Sequence, residues 1–328
     1  MTDIPIIDLV GRDHGITDQN TADQDIAQII DQACGDIGFL VIRNHGVPED
    51  IIQDCWQQSL AFFDLPLAER MKVALPHPGY PYGYGPMANE TLSKSLGEDS
   101  PPDLKEGFAV GPLQVPNRPL DDKEAAFIHA PNLWPENPAG LRPAFEAYVQ
   151  EMDALAQRLM RLFALALNLP EVFFSGLINE AISACRANHY PALENPPAPG
   201  QLRAGAHSDY GSLTILLPHD TPGGLQVQTK SGNWIDAPVI PGTFIINIGD
   251  LMARWTNDRW VSTLHRVVTP PLDADAKSRR LSIAFFHQPN WNADITCLPT
   301  CLAQGEAPLY EPVKSGPYLM DKFTSTVM

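Results

Sequence analysis

Three residues of this chain have the types and spacing of metal ligands: His207, Asp209 and His265. His207 and Asp209 form a His-x-Asp pair at the end of a predicted strand, where residues i and i+2 point to the same face. His265 lies in a later predicted strand. Two histidines and one carboxylate on one face of a metal ion leave three adjacent positions open, which is typical of non-haem Fe(II) oxygenases. The residues are therefore candidate iron ligands, and a structural histidine bonded to a neighbouring carboxylate is the alternative.

An arginine and a serine open the predicted strand RLSIAFFHQ. Arg280 and Ser282 share one face of it by the same period of two. A guanidinium can hold a carboxylate through two parallel hydrogen bonds, and a hydroxyl adds a third donor. Because an arginine inside a β core is costly unless an anion meets it, the pair predicts a carboxylate-binding site. An exposed arginine at the end of a loop is the alternative.

Asn188 and Tyr190 end another predicted strand and share a face, so Tyr190 could offer its phenol to the same anion, with Asn188 beside it as a further candidate for binding the co-substrate. A structural tyrosine is the alternative. His189 points the other way and is not expected to bind metal. Structural or solvent-facing roles are expected for the other histidines, which are His14, His45, His77, His129, His219 and His287.

Helical and strand patterns divide the chain into two parts. Apolar residues at spacings of three and four predict helices over 23–34, from Pro48 through Phe63, and over 141–167, the last as support for a sheet. Short strands separated by turn residues favour a sandwich or open barrel. We therefore expect a mainly β fold with flanking helices in one compact unit, with a mixed leader at 1–110 and a core at 111–328. The predicted strands are IPIIDL, 39–43, 182–190, 202–208, 212–217, 224–228, 243–248, 263–269 and 280–287.

The segment 76–138 is rich in proline and glycine and could be a disordered insert or an irregular wall. Its aromatic residues favour packing over disorder. They are Tyr80, Tyr82, Tyr84 and Phe108.

The bulk composition limits the classes of partner. The chain has 328 residues, 44% of them hydrophobic, and a net charge of −17. An acidic surface repels nucleic acid and anionic lipid, so a small molecule is the expected partner. No apolar run reaches the length of about 18 residues that a membrane span needs. The opening MTDIPIIDLV lacks the features of a signal peptide, and the five cysteines are irregularly spaced, so reduced thiols and a cytoplasmic location are expected.

Taken together and in order, the motifs of this chain match those of a known family. The chain resembles the isopenicillin N synthase-like group of 2-oxoglutarate/Fe(II)-dependent dioxygenases over most of its length. The resemblance implies a double-stranded β-helix, or jelly-roll, core with the long helix packed outside. It rests on IPIIDL, GFLVIRNHGVPEDII, FFDLPLAERMKV, CRANHYP, AHSDYGSLTILL, GGLQV, NIGD, TLHRVV and RRLSIAFF.

The resemblance also implies a cofactor set and an activity. Fe²⁺ would lie on His207, Asp209 and His265, and 2-oxoglutarate on Arg280 and Ser282 with Tyr190 assisting. With O₂, the enzyme would hydroxylate a small organic substrate and release succinate and CO₂. The loop at 270–278 is longer than is usual in the family. Because of this difference, Arg279 is an alternative to Arg280 as the arginine that binds 2-oxoglutarate. The serine two residues after Arg280 favours Arg280.

Two other functions are compatible with the same motifs. One is an Fe(II) oxidase of the same fold that does not use 2-oxoglutarate, as in isopenicillin N synthase itself. The other is a jelly-roll binding protein without catalysis, against which the complete ligand set argues.

Four residues are expected to form the substrate wall: Tyr210, Phe286, Phe108 and Lys105. Tyr210 follows the Asp ligand, and Phe286 points inward if Arg280 and Ser282 do. Lys105 and Phe108, in PDLKEGF, resemble the family's substrate-side wall. The wall suggests a flat or partly apolar substrate such as a heterocycle, and ordinary core packing of each aromatic is the alternative.

Overall fold

The computed structural model describes residues 4–10, 19–88, 90–97, 100–193, 197–219, 224–269 and 279–327. His14 and the long loop at 270–278 lie outside these ranges. The strands are β1 (Ile6–Asp8), β2 (Phe39–Arg43), β3 (Gly83–Gly85), β4 (Glu106–Val110), β5 (Ala184–Tyr190), β6 (Ala204–His207), β7 (Leu213–Leu217), β8 (Leu225–Gln228), β9 (Trp234–Asp236), β10 (Phe244–Ile248), β11 (His265–Val267), β12 (Arg280–His287), β13 (Asp294–Ile295) and β14 (Val313–Lys314).

Two facing sheets form the jelly-roll core. The larger sheet has the order β1-β2-β10-β7-β12-β5-β4-β3, and the smaller has the order β6-β11-β8-β9. All pairings in these sheets are antiparallel except that of β1 with β2. A cluster of apolar residues from both sheets, including Val41 and Ile245 of one and Val227 and Val267 of the other, lies between them. The jelly-roll expectation is therefore confirmed.

Helices cover the outer face of the larger sheet. The period of two separates its faces: Leu281 and Ile283 of β12 pack in the helix-side core, whereas Arg280 and Ser282 face the space between the sheets. None of the helices in the described ranges is long and apolar enough to cross a membrane. The helices are α1 (Gln19–Asp36), α2 (Glu49–Phe63), α3 (Leu67–Arg70), α4 (Asp122–Phe127), α5 (Leu141–Ala166), α6 (Ser175–Ile178), α7 (Asp250–Trp255) and α8 (Ser315–Val327), with 3₁₀ turns at Met71–Val73, Leu92–Leu96 and Pro299–Cys301.

The longest helix, α5, supports the sheet as its apolar stripe predicted. It contacts α1, α2 and β12. Phe145, Tyr148 and Leu159 lie on its buried face, each with no exposed surface. Removing one such large side chain would leave a cavity and cost about 3–5 kcal/mol.

The described part of the proline-rich segment 76–138 contains buried aromatic side chains, which confirms the interpretation that these residues pack. Tyr82, Tyr84 and Phe108 are buried. The segment also contains β3, β4 and α4, which the sequence did not predict. Because β3 and β4 form one edge of the larger sheet, the leader at 1–110 and the core at 111–328 share that sheet.

Gly38 joins α1 to β2 at a point where the chain has no room for a side chain. Its φ is +68°, and its N–H donates to the carbonyl of Ala33 over 2.9 Å, as at a helix C-terminus. A Cβ at this position would lie 2.1 Å from the carbonyl oxygen of Val261. Only glycine therefore lets α1 approach the segment before β11.

We expect Gly38→Ala to lower the free energy of unfolding by about 2–5 kcal/mol, because left-handed strain adds to an overlap with the backbone. Urea unfolding measures the loss. Gly46→Ala is the matched control, since Gly46 has φ +85° and nothing within 4 Å of its Cβ position. It should cost only about 1–2 kcal/mol, and equal losses in the two variants would contradict the close approach.

Candidate active site

The three predicted metal ligands converge between the sheets. β6 ends at His207, and His265, the first residue of β11, is its direct cross-strand partner. Nε2 of His207 and Nε2 of His265 lie 4.0 Å and 3.8 Å from Oδ1 of Asp209. All three ligand atoms lie within 4.8 Å of one another, so a single ion can touch them all. Within the described ranges they form the one group of three or more His, Cys, Asp or Glu with such geometry.

Backbone carbonyls orient both imidazoles. Nδ1 of His207 lies 2.8 Å from the carbonyl oxygen of Gly205, and Nδ1 of His265 lies 3.2 Å from that of Thr263. A carbonyl can only accept, so Nδ1 carries the proton in each ring. The Nε2 lone pairs are therefore directed at the shared centre, which is the usual arrangement for ligating histidines.

Two polar side chains hold the carboxylate of Asp209. Its Oδ2 accepts a hydrogen bond from Thr214 Oγ1 over 2.5 Å and from Asn247 Nδ2 over 2.7 Å. Thr214 and Asn247 are themselves cross-strand partners in β7 and β10. With Oδ2 occupied, Oδ1 is left to face the histidines. The donor set therefore fits a divalent ion such as Fe(II).

Burial and neighbouring groups set the protonation states that a metal requires. Burial lowers the pKa of His207, and the adjacent His265 acts in the same direction, so its imidazole is neutral. For Asp209 burial opposes ionisation, but the hydrogen bonds from Thr214 and Asn247 favour the charged form, and the pKa of the carboxyl group is lowered. A neutral imidazole and an ionised carboxylate are the forms that ligate metal.

Arg280 is a buried cation aimed into the same space. Its side chain is 7% exposed, and Nη1 donates to Ser282 Oγ over 3.3 Å. The guanidinium lies 5.0 Å from the ring centroid of Tyr190. Among the described residues Nε has no hydrogen-bond partner, and burial lowers the pKa of the guanidinium. A buried guanidinium with an unused donor fits the carboxylate of an oxo acid.

Arg279, the rival of Arg280, lies on the opposite face of the sheet. Its Nε donates to Nε2 of His189 over 2.6 Å, and Nδ1 of His189 lies 2.7 Å from Glu106 Oε1. His189 is therefore held in a structural network behind the sheet, as its position in the strand predicted. Arg280 is the arginine that faces the metal ligands.

A cavity of about 240 Å³ connects the carboxylate-binding residues to the metal ligands. Nearly all of the site residues predicted from the sequence line it. These are His207, Asp209, His265, Arg280, Ser282, Tyr190, Asn188, Tyr210, Phe286 and Lys105.

Phe108 does not join them, which corrects the prediction made for this residue. It packs in the helix-side core, with its ring centroid 4.9 Å from that of Phe62 and 5.6 Å from that of Phe145. Lys105 and Ala109 line the cavity. Because side chains alternate along a strand, Phe108 points to the opposite face of β4. The sequence pattern does not predict β4, so the alternation of its side chains could not be applied to Phe108.

Thr214 and Asn247 are site residues that the sequence analysis missed. Each is a polar residue within an otherwise apolar strand, in LTILL and FIINI. A polar group inside a buried strand needs a hydrogen-bond partner, and this requirement is the signal that could have identified both.

We expect Asn247→Ala to weaken binding of Fe(II) or Mn(II) by about 10- to 100-fold, because Asp209 loses a donor that orients it. Anaerobic isothermal titration calorimetry measures the affinity. Asn233→Ala is the control, since the hydrogen bonds of Asn233 to described residues lie within an exposed turn. Unchanged metal affinity in Asn247→Ala would show that the hydrogen bond does not support the ligand.

Two family models match the chain. The model described as non-haem dioxygenase in morphine synthesis N-terminal matches residues 4–137, and that of the 2OG-Fe(II) oxygenase superfamily matches residues 181–289. The second match contains the metal triad and both residues of the Arg-x-Ser pair.

Curated relatives and solved structures are similar to this chain over most or nearly all of its length. Homoarginine-6-hydroxylase 2-ODD-233 of Oryza sativa subsp. japonica is 32% identical over 99% of this chain and 98% of its own. Validamycin A dioxygenase of Streptomyces hygroscopicus subsp. limoneus is 31% identical over 92% of this chain and 81% of its own. The crystal structure of a full-length Neurospora crassa protein in complex with alpha-KG and thymine has a TM-score of 0.84 and 30% identity, and it covers 98% of this chain and 96% of its own. Likeness of this extent shows that the protein belongs to the 2-oxoglutarate/Fe(II)-dependent oxygenase superfamily and is a dioxygenase of that kind.

Proposed function

We propose that this dioxygenase hydroxylates a small organic molecule, with Fe(II) on His207, Asp209 and His265 and 2-oxoglutarate anchored by Arg280. Ser282 and Tyr190 complete the anchor, and Asn188 lies beside it on the same face of β5. The relatives are named for homoarginine and validamycin A, and the Neurospora crassa protein binds thymine, so each takes a small polar molecule. One cavity must hold both 2-oxoglutarate and the substrate, which also supports a small substrate.

The single observation that carries the proposal is the presence of Arg280 and the triad in one cavity. Among the described residues no carboxylate forms a salt bridge with Arg280, and its Nε is unsatisfied. A buried cation of this kind favours use of an oxo acid over an oxidase that works without one. The bonds that hold Asp209 in a ligating position argue against a protein that only binds.

The roles of the chain's own groups follow from the geometry. When bound, Fe(II) and 2-oxoglutarate supply the activation of dioxygen, with release of succinate and CO₂. His207 and His265 would bind the ion through their Nε2 atoms, and Asp209 would add the negative charge. Arg280 fixes the oxo acid at one end of the cavity, and the apolar residues between the sheets exclude water. The chain's own part is therefore to position the ion and the oxo acid and to keep water out of the cavity.

The acidic charge of −17 supports a protein that does not bind nucleic acid. All five cysteines are free thiols, as is usual in a reducing compartment, and this supports the cytoplasm as its location.

We expect Arg280→Met to raise the KM for 2-oxoglutarate by about 100-fold, because the carboxylate loses a buried charged partner. Succinate release measured against 2-oxoglutarate concentration gives the KM. Arg279→Met is the matched control and should change this KM far less, since Arg279 faces away from the cavity. Turnover that persists without added 2-oxoglutarate, or equal effects of the two variants, would contradict the proposed anchor.

For the substrate wall, we expect Tyr210→Ala and Phe286→Ala each to raise the KM for substrate by about ten-fold, since each ring contributes about 1.4 kcal/mol of contact. The substrate is first identified by a screen for succinate release. Phe108→Leu is the control and should lower the melting temperature without changing this KM, because Phe108 packs in the core. Unchanged KM in both alanine variants would refute the wall.

A further inference from the structure

Besides the residues proposed to bind the oxo acid, a second set of polar side chains lines the cavity. Along β5 the side chains of Tyr190, Asn188 and Arg186 all line it, so Arg186 continues the row away from Arg280. Glu90 and Lys105 line the same wall. Arg186 Nη1 donates to Glu90 Oε1 and Oε2 over 2.8 and 3.1 Å. The iron and 2-oxoglutarate sites proposed above use neither Glu90 nor Arg186.

Two cations neutralise Glu90. Besides Arg186, Lys105 Nζ lies 3.3 Å from Glu90 Oε2, and it also lies 3.8 Å from Oδ2 of the buried Asp103. Burial alone would raise the pKa of Glu90, but Arg186 and Lys105 outweigh it and lower the pKa to about 2. The described lining holds one other carboxylate, that of Asp209, which faces the metal position. A cationic substrate would therefore meet no uncompensated anion here.

The surroundings of Arg186 leave its guanidinium accessible to a ligand. Its direct neighbours across the two adjoining strands are Ala284 and Ala109, both of which line the cavity. Both of its hydrogen bonds to described residues come from Nη1, so Nε and Nη2 remain as donors. Gly107 makes this position possible, because a Cβ there would lie 2.6 Å from Arg186 Nε. These small neighbouring residues therefore leave room for a ligand beside the guanidinium of Arg186.

We propose that Arg186, fixed by Glu90 and Gly107, is a substrate-binding residue that selects neutral molecules bearing a carbonyl oxygen, such as lactams, imides and cyclic ureides. Its free donors bind the carbonyl oxygen, and Lys105 on the same wall can bind a second one. The charge balance of the wall disfavours guanidinium and ammonium substrates, which would face two cations whose carboxylate partners, Glu90 and Asp103, are already paired. This inference rests on the proposed function and adds the class of substrate. It also predicts that this protein and the relative named for homoarginine differ in the charge of the substrate that they bind.

Calorimetric titration of the anaerobic protein tests the inference in two stages. The first titration adds Fe(II) and then 2-oxoglutarate, and saturable binding of both tests the proposed function by itself. The second adds thymine, hydantoin or L-homoarginine to the loaded protein. We expect saturable binding of at least one of the two neutral ureides and none of L-homoarginine. Arg186→Met should weaken the ureide by about 10- to 100-fold, as expected for loss of a charge-assisted hydrogen bond.

Two further variants make the result specific. Gly107→Ala should also weaken the ureide, because its methyl group displaces the guanidinium while leaving the charge in place. Arg142→Met should have no effect, since Arg142 forms a comparable pair with Glu146 on the surface. The inference is overturned if L-homoarginine binds more tightly than both ureides, if neither ureide binds, or if Arg186→Met leaves ureide affinity unchanged.

Discussion

Charged groups buried between two apolar sheets are stable only where each has a partner, and this requirement organises the centre of the protein. Asp209 satisfies one carboxylate oxygen through Thr214 and Asn247 and turns the other toward two imidazoles. Within the part of the chain that the structure describes, Arg280 donates to Ser282 but its Nε has no hydrogen-bond partner. Both groups open onto one cavity, where a divalent cation and an anionic co-substrate would complete the interactions that the described residues leave unfinished.

The period of two along the larger sheet keeps this polar centre apart from the rest of the core. On β12, Leu281 and Ile283 pack against helices while Arg280 and Ser282 face the cavity. On β5, His189 joins a structural network behind the sheet, and Asn188 and Tyr190 join the site. A shift of one residue in either register would exchange the two sets. The helix-side packing and the chemistry therefore depend on the same register.

Much of the fold and site follows from the sequence because strand alternation and motif spacing are local properties. The metal ligands, the Arg280–Ser282 pair and the limits of α5 could be predicted in this way. The position of Phe108 in the core could not be predicted, since β4 lies in a proline-rich segment whose apolar residues show no clear strand period. Glu90 and Arg186 were missed for different reasons: Glu90 lies outside regular structure and meets Arg186 only through the fold, whereas one more step of alternation from Asn188 would have reached Arg186.

The central claim is that His207, Asp209 and His265 share one iron ion while Arg280 holds the oxo acid beside it. A crystal structure grown without oxygen in Fe(II) and 2-oxoglutarate, with anomalous diffraction at the iron edge, tests it most directly. The account predicts one iron peak in contact with Nε2 of both histidines and Oδ1 of Asp209, and a carboxylate of the oxo acid on Arg280. Iron bound elsewhere, or an oxo acid whose carboxylates both lie away from Arg280, would contradict it.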